Sequence, residues 1–177
     1  MSQYFDLSIR RIEIKKPKRD LKPVIKLQDE VNKTLLHDEY YYPTDERTIQ
    51  ECLDGDYILL GVYSKDKLIA ASFAFEGGLF FSKPITDWME IPGNKIMCHE
   101  LVVVDMEYRG NGIQKRFMDA TIREARQMGY DTIWCCAHPN NTPSVCSIES
   151  TGYKFADQFV VDGWPRNVYY RSTSIQR

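Results

Sequence analysis

The stretch Val102-Val-Val-Asp-Met-Glu-Tyr-Arg-Gly-Asn-Gly-Ile-Gln-Lys-Arg-Phe117 constrains this chain more than any other. Its valines read as a buried strand, Arg109 to Gly112 as a short turn with two glycines, and Gly112 to Met128 as a helix. On that helix Ile113, Phe117, Met118, Ala120, Ala125 and Met128 fall on one side, while Lys115, Arg116, Asp119, Arg123 and Arg126 fall on the other. A strand, a tight turn and a helix in this order aim free backbone N–H groups and a positive helix end at one point. Such a cradle suits an anion, and phosphate above all. Arg109, Lys115 and Arg116 add formal charge beside it. The common nucleotide motifs do not fit: Lys115 takes the place of the third glycine of a dinucleotide fingerprint, and no Gly-Lys-Ser/Thr ending follows.

Around this unit the pattern predicts an α/β chain. Phe5 to Ile14 reads as a strand, and Lys15 to Arg19 as a solvated basic turn. Leu21, Val24, Ile25, Leu27, Val31, Leu35 and Leu36 recur at helical spacing behind Asp20 as cap, and Thr44 to Leu53 supplies a second, short helix. Tyr57–Tyr63 and Leu68–Phe75 form a hairpin, Gly77 to Lys95 a long loop, and Ile96 to Val104 the valine-rich strand. After the central helix come a strand over Thr132–Ala137 and a helix over Pro143–Thr151 capped by Thr142. Strands over Tyr153–Val161 and Asn167–Arg171 close the order βααβββαβαββ. This is one domain, residues 1–177, with a mixed, mostly antiparallel sheet of about seven strands and about four helices.

Composition excludes several classes. With 23 Lys and Arg against 25 Asp and Glu, the net charge of −2 gives no basic surplus for nucleic acid. No apolar run approaches the ~20 residues that span a bilayer. Residues 1–10 carry no charged leader before an apolar core, so no signal peptide is expected. The five cysteines have no zinc-ligand spacing and read as reduced thiols of a cytoplasmic protein. A monomer or a homodimer fits this size and composition.

The block Val-x-Val-x(4)-Arg-Gly-x-Gly-Ile resembles the acyl-CoA-binding motif of the GNAT acetyltransferase superfamily, Gln/Arg-x-x-Gly-x-Gly/Ala. Arg109 and Gly112 match its first two fixed positions, and Gln114 stands where Gly or Ala is usual. Asn141-x-x-Ser144, Glu149 and Gly152-Tyr153 resemble the family's second block, Asn-x-x-Ser…Glu-x-x-Gly-Phe, in the same order and at the same separation. The resemblance covers nearly the whole chain. It implies acetyl-CoA as co-substrate and a small-molecule or peptide amine as acceptor. The backbone of Val102, Val103 and Val104 would pair with the pantetheine arm, and N–H groups of Gly110, Asn111, Gly112, Ile113, Gln114 and Lys115 would hold the pyrophosphate. Asn141 would meet the pantetheine amides, and Ser144 the phosphate region. Simple cap chemistry is the competing reading of Asn141 and Ser144.

Acetyl transfer to an amine needs a base, and strand alternation singles out Glu100. It shares a face with Ile96, Cys98, Val102 and Val104, an apolar row that should raise its pKa. Pairing with an Arg or Lys is the structural alternative. On the same alternation His99 lies opposite with Leu101 and Val103, as a core histidine. His138, at the end of the next strand, is a second candidate for catalysis. The usual general acid of the family, a Tyr five residues before the Gly-Phe pair, is Ile148 here. Tyr169, Tyr170 and Tyr40–Tyr42 are substitute donors, and Cys146 reads as helix packing. Acidic residues near the acceptor side, Asp38, Glu39, Asp87 and Glu90, suit a cationic amine with apolar bulk. A non-catalytic acyl-CoA-binding module of the same fold is the alternative function.

Overall fold

The valine-rich strand pairs on both sides, so it lies in the middle of a sheet. The structure is a computed structural model, and it describes residues 9–11, 21–35, 37–41, 43–77, 79–80, 83–84, 87 and 89–174. The basic turn Lys15–Arg19, Asp20, Leu36, Tyr42 and the ends of the predicted first strand lie outside them. The elements are β1 (Ile9–Arg11), α1 (Lys22–Asn32), α2 (Glu46–Cys52), β2 (Tyr57–Ser64), β3 (Lys67–Glu76), β4 (Leu79–Phe80), β5 (Lys83–Pro84), β6 (Ile96–Val104), α3 (Ile113–Gln127), β7 (Thr132–Ala137), α4 (Thr142–Ser150), β8 (Lys154–Val161) and β9 (Trp164–Ser172). One seven-stranded sheet runs in the order β1-β2-β3-β6-β7-β9-β8. Every neighbouring pair in it is antiparallel except β6 and β7, which are parallel.

Both faces of the sheet are covered, so its central strands are apolar on both sides. One face packs under α3 and α4 through Met97, Ile113, Phe117, Met118, Ile133, Ile148 and Tyr153. The other packs under α1 and α2 through Val24, Leu27, Val31, Ile49, Phe73, Cys98, Leu101, Val103 and Trp134.

The parallel pair is short. β6 and β7 pair only at Ile96–Thr132, Met97–Ile133 and Cys98–Trp134. Beyond that point β6 stays with β3 as far as Val104, and β7 stays with β9 as far as Ala137. The two strands therefore part like a wedge. Its narrow end is clamped: the Asp131 carboxylate accepts from the backbone N–H of Asn94 (2.8 Å) and Lys95 (3.1 Å), and Asp131 N–H donates to Lys95 O (2.8 Å).

A bulge marks where the strands part. Phe73 faces Leu101 but Ala74 faces His99, leaving Glu100 as the extra residue of β6. A bulge bends its strand and reverses the alternation beyond it. Ile96 and Cys98 accordingly share the α1/α2 face with Leu101 and Val103, while Val102 and Val104 lie against the α3/α4 side. The predicted row of Ile96, Cys98, Glu100, Val102 and Val104 is thus broken after Glu100. The grouping of Leu101 and Val103 opposite Cys98 fails for the same reason. His99 is a core histidine, buried with its Nε2 2.7 Å from Ser72 Oγ.

Several predicted boundaries move. Helix α1 ends at Asn32, short of Leu35, and its N-cap position is Leu21, with no side-chain cap. Pro23 in the first turn presets the helical φ there. Asn141, not Thr142, caps α4, its side chain accepting from Ser144 N. The Gly77–Lys95 loop contains the paired strands β4 and β5. Asp162 and Gly163 both have positive φ (49° and 84°), which makes a two-residue hairpin turn, so β9 begins at Trp164 and not at Asn167.

Burial holds the His99 imidazole down, to about 4. The folded chain keeps it neutral, whereas the unfolded chain takes up a proton below about 6.5. Its contribution is therefore complete above that pH and is lost as pH falls toward 4. Urea unfolding is expected to show a loss on the order of 3 kcal/mol across this window that His99→Gln removes. An unaltered pH dependence in His99→Gln would contradict this.

Candidate functional site

The turn into α3 is built to present N–H groups. Asp105 accepts from Glu107 N–H (3.1 Å), starting a 3-10 turn over Met106–Tyr108. The Asn111 side chain then donates back to Tyr108 O (3.0 Å) and Arg109 O (3.3 Å), so it folds the turn from within. Gly110 and Gly112 have φ of +79° and +69°, and a Cβ at either would meet nothing within 4 Å. The left-handed backbone favours glycine, and the space in front of both is open. Gly112 is the N-cap of α3 and supplies no side-chain acceptor. Among the described residues nothing accepts from the backbone N–H groups of residues 110–115. Lys115, Arg116 and Arg109 are exposed around this point.

Gln114, which departs from the family pattern, turns its side chain sideways. Its Nε2 donates to Ser144 Oγ at 3.0 Å and ties the start of α3 to the start of α4. Asn141 caps α4 and donates from Nδ2 to Tyr40 O (3.3 Å), so it also tethers the loop after α1. The cap chemistry of Asn141 is therefore real, and it sits on the line between the cradle and the opposite face of the sheet.

Glu100 stands at the bulge, in the mouth of the wedge. Its Oε1 accepts from Thr44 Oγ1 (3.2 Å) and its Oε2 from Cys98 Sγ (3.5 Å). Among the described residues no Lys or Arg pairs with it. The side chain reaches solvent from the cleft, yet the surrounding protein strips enough water to push its pKa up. The two hydrogen bonds oppose that rise. Its neighbours are all held protonated. Burial first and the Glu100 charge second push Tyr41 and Cys98 up and Cys52 to about 11, while Cys136, whose side chain is exposed, is raised by the Glu100 charge.

Sequence reasoning did not find Gln28 and Thr44. Gln28 is a buried amide inside the apolar stripe of α1. It donates to Thr44 O (2.8 Å) and accepts from Thr44 N–H (3.2 Å) and the Tyr41 hydroxyl (2.6 Å). It thereby fixes the segment that delivers Thr44 to Glu100. The readable signal was a lone amide among Val24, Leu27 and Val31.

His138 is buried between the rings of Tyr40 (centroids 5.2 Å apart) and Trp164 (6.4 Å). Its Nδ1 accepts from Asn140 N–H (3.2 Å), which leaves the proton on Nε2. Burial and then the Arg166 charge push its pKa down. Ile148 is buried in the core, Tyr41 is bonded to Gln28, and the Tyr169 hydroxyl accepts from Asn167 (3.1 Å). Cys146 is exposed, so it does not serve helix packing.

A sequence model described as the Acetyltransferase (GNAT) family matches residues 25–153. The chain belongs to the GNAT family. Solved structures agree on the fold. An N-acetyltransferase from Staphylococcus aureus Mu50 superposes with a TM-score of 0.71 at 16% identity, covering 96% of this chain and 100% of the other. The ribosomal-protein-S18-alanine N-acetyltransferase of Escherichia coli gives 0.66 at 16%, covering 97% and 96%. A chain of the NatC complex bound to Gag peptide and CoA gives 0.70 at 11%, covering 95% and 99%. A search of curated proteins finds no sequence match. The GNAT fold thus accounts for the chain from the first described strand to β9, and no helix among the described residues is long and apolar enough to cross a membrane.

Because no Lys or Arg among the described residues pairs with Glu100, Glu100→Gln is expected to leave Tm unchanged or raise it by a few degrees. Breaking a buried ion pair would cost about 3–5 kcal/mol and lower Tm by roughly 10 °C. A fall of that size in a thermal melt would show that Glu100 is structural.

Proposed function

We propose that the chain is an N-acetyltransferase that moves the acetyl group of acetyl-CoA to a primary amine by direct attack, with Glu100 as general base. The observation that carries this reading is a carboxylate, paired with no Lys or Arg among the described residues, at the point where the two parallel strands part. The cradle residues fit the proposed co-substrate: Gly110 and Gly112 leave room for a pyrophosphate, and the N–H groups from Gly110, Asn111, Gly112, Ile113, Gln114 and Lys115 find no acceptor among the described residues. The edge of β6 over Val102, Val103 and Val104, free of β7, would receive the pantetheine arm, with Asn141 and Ser144 at its flank.

When bound, acetyl-CoA supplies an activated thioester. Glu100 accepts the proton of the attacking amine, and its raised pKa makes it a stronger base than an ordinary carboxylate. Thr44 and Cys98 hold its two oxygens in place. Backbone N–H groups of β6 that have lost β7 as partner stand ready for the carbonyl oxygen. Cys52 and Cys98 are kept as thiols, which favours direct attack in a ternary complex over an acyl-cysteine route through either of them. His138 is neutral with Nδ1 occupied, so its role in this mechanism is donor from Nε2–H. With Ile148 apolar, water serves the departing thiolate, whose conjugate thiol has a pKa of ~8.5.

Under this reading Glu100→Gln lowers kcat by about 10²–10⁴-fold while CoA affinity is retained. In the native enzyme kcat/KM rises with pH as Glu100 loses its proton, with an inflection above the ordinary Glu value of 4.5 that the variant loses. Native turnover with an unchanged rate in Glu100→Gln would exclude it as base. CoA binding without transfer to any amine would favour the alternative, a non-catalytic acyl-CoA-binding module.

Gly112→Asn tests the cradle separately, because Asn tolerates a left-handed backbone and strains the fold little. The Kd for CoA, measured by calorimetry, is expected to rise about tenfold or more with Tm shifted by only a few degrees. An unchanged Kd would place the pyrophosphate elsewhere.

A further inference from the structure

The transfer reaction leaves Arg166 unused. It follows Trp164 on β9, one strand from Cys136 and His138, and its residue is only 5% exposed. A buried guanidinium is ordinarily paired with a carboxylate. This one makes no salt bridge among the described residues, and its hydrogen bond runs from Nη1 to the adjacent Pro165 O (3.2 Å). The remaining N–H groups are not sealed in protein. Among the described residues the fully enclosed polar atoms without partners are His99 Nδ1, Thr121 Oγ1 and Tyr153 Oη. The open donors of Arg166 therefore reach solvent, from the strand that lies beside β7.

The neighbours agree with an anion subsite. Glu39 and Asp162 act on Arg166 from a distance, but neither comes within 4 Å. Glu39 is engaged instead by His37 Nδ1 at 3.3 Å, and Asp162 is exposed on the hairpin turn. Cys136, on the strand next to Arg166, is within electrostatic reach of both Glu100 and Arg166.

Building on the transferase reading, we infer that Arg166 binds an anionic group carried by the acceptor itself, set several bonds back from the amine that Glu100 deprotonates. The acceptor class is a primary amine bearing a carboxylate or phosphate, and the subsite selects it over the cationic amine that Asp38, Glu39, Asp87 and Glu90 suggested. The carboxylate would take the open guanidinium N–H groups as charge-assisted hydrogen bonds, and the alkyl span would cross Cys136.

The test compares amines matched in size. Each pair holds a carboxylate and its carboxamide, as free ω-amino acids and as short peptides with an acidic or amide residue near the N-terminus. The native enzyme is expected to favour the anionic member by about thirtyfold or more in kcat/KM, carried by KM, and Arg166→Gln to remove that preference. Arg166→Lys should restore part of it. The free and peptide arms report which source supplies the anion. Equal or reversed preference, with transfer intact, overturns the subsite and leaves the transferase reading standing. A second readout does not depend on turnover: glutarate, against sodium chloride of equal ionic strength, should raise the Tm of the CoA-loaded native protein and not that of Arg166→Gln. No glutarate shift in the native protein, or the same shift in both, overturns the subsite whether or not any amine is acetylated.

Discussion

Everything distinctive in this molecule depends on β6 and β7 ceasing to pair after three residues. Parallel strands with both faces covered normally stay together, because a central strand that loses its partner leaves N–H and C=O groups unsatisfied. Here the clamp through Asp131 closes one end, and the Glu100 bulge turns β6 away at the other. The result is an internal strand edge inside a two-sided core. Such an edge invites an extended ligand that can replace the missing ladder.

The bulge also decides the electrostatics. Reversing the alternation puts Glu100 and Leu101 on the same side of β6, so the carboxylate joins Tyr41, Thr44, Cys52, Cys98 and Cys136 on the α1/α2 face. The cradle at Gly110–Lys115 lies beyond the opposite end of β6, at the start of α3. A ligand laid along the free edge would run from one to the other. The positive end and the carboxylate are thus held apart by the length of a strand segment, and neither neutralises the other.

The order of elements, the hairpins and the cradle were legible because each rests on local chemistry: glycines at positive φ, alternation within a strand, an apolar stripe on a helix. Glu100 was singled out for an alternation that the bulge breaks. The residue was named on a face that Val102 and Val104 do not share, since nothing in the residues 96–104 marks one as extra. Thr142 was preferred to Asn141 as cap because both are good capping residues one position apart. Gln28, Thr44 and Arg166 escaped notice because their meaning is non-local. An amide in an apolar stripe and an arginine just past a hairpin turn show their surroundings only when α1, β6 and β9 come together.

The central claim is that the free edge of β6 and the N–H groups of the cradle take one extended ligand. Residue-resolved amide exchange with and without CoA tests it most directly. The account predicts that protection appears at the β6 amides between Glu100 and Val104 that face β7, and at residues 110–115, with little change along β1, β2 or β8. Protection absent from β6, or confined to another edge of the sheet, would contradict it.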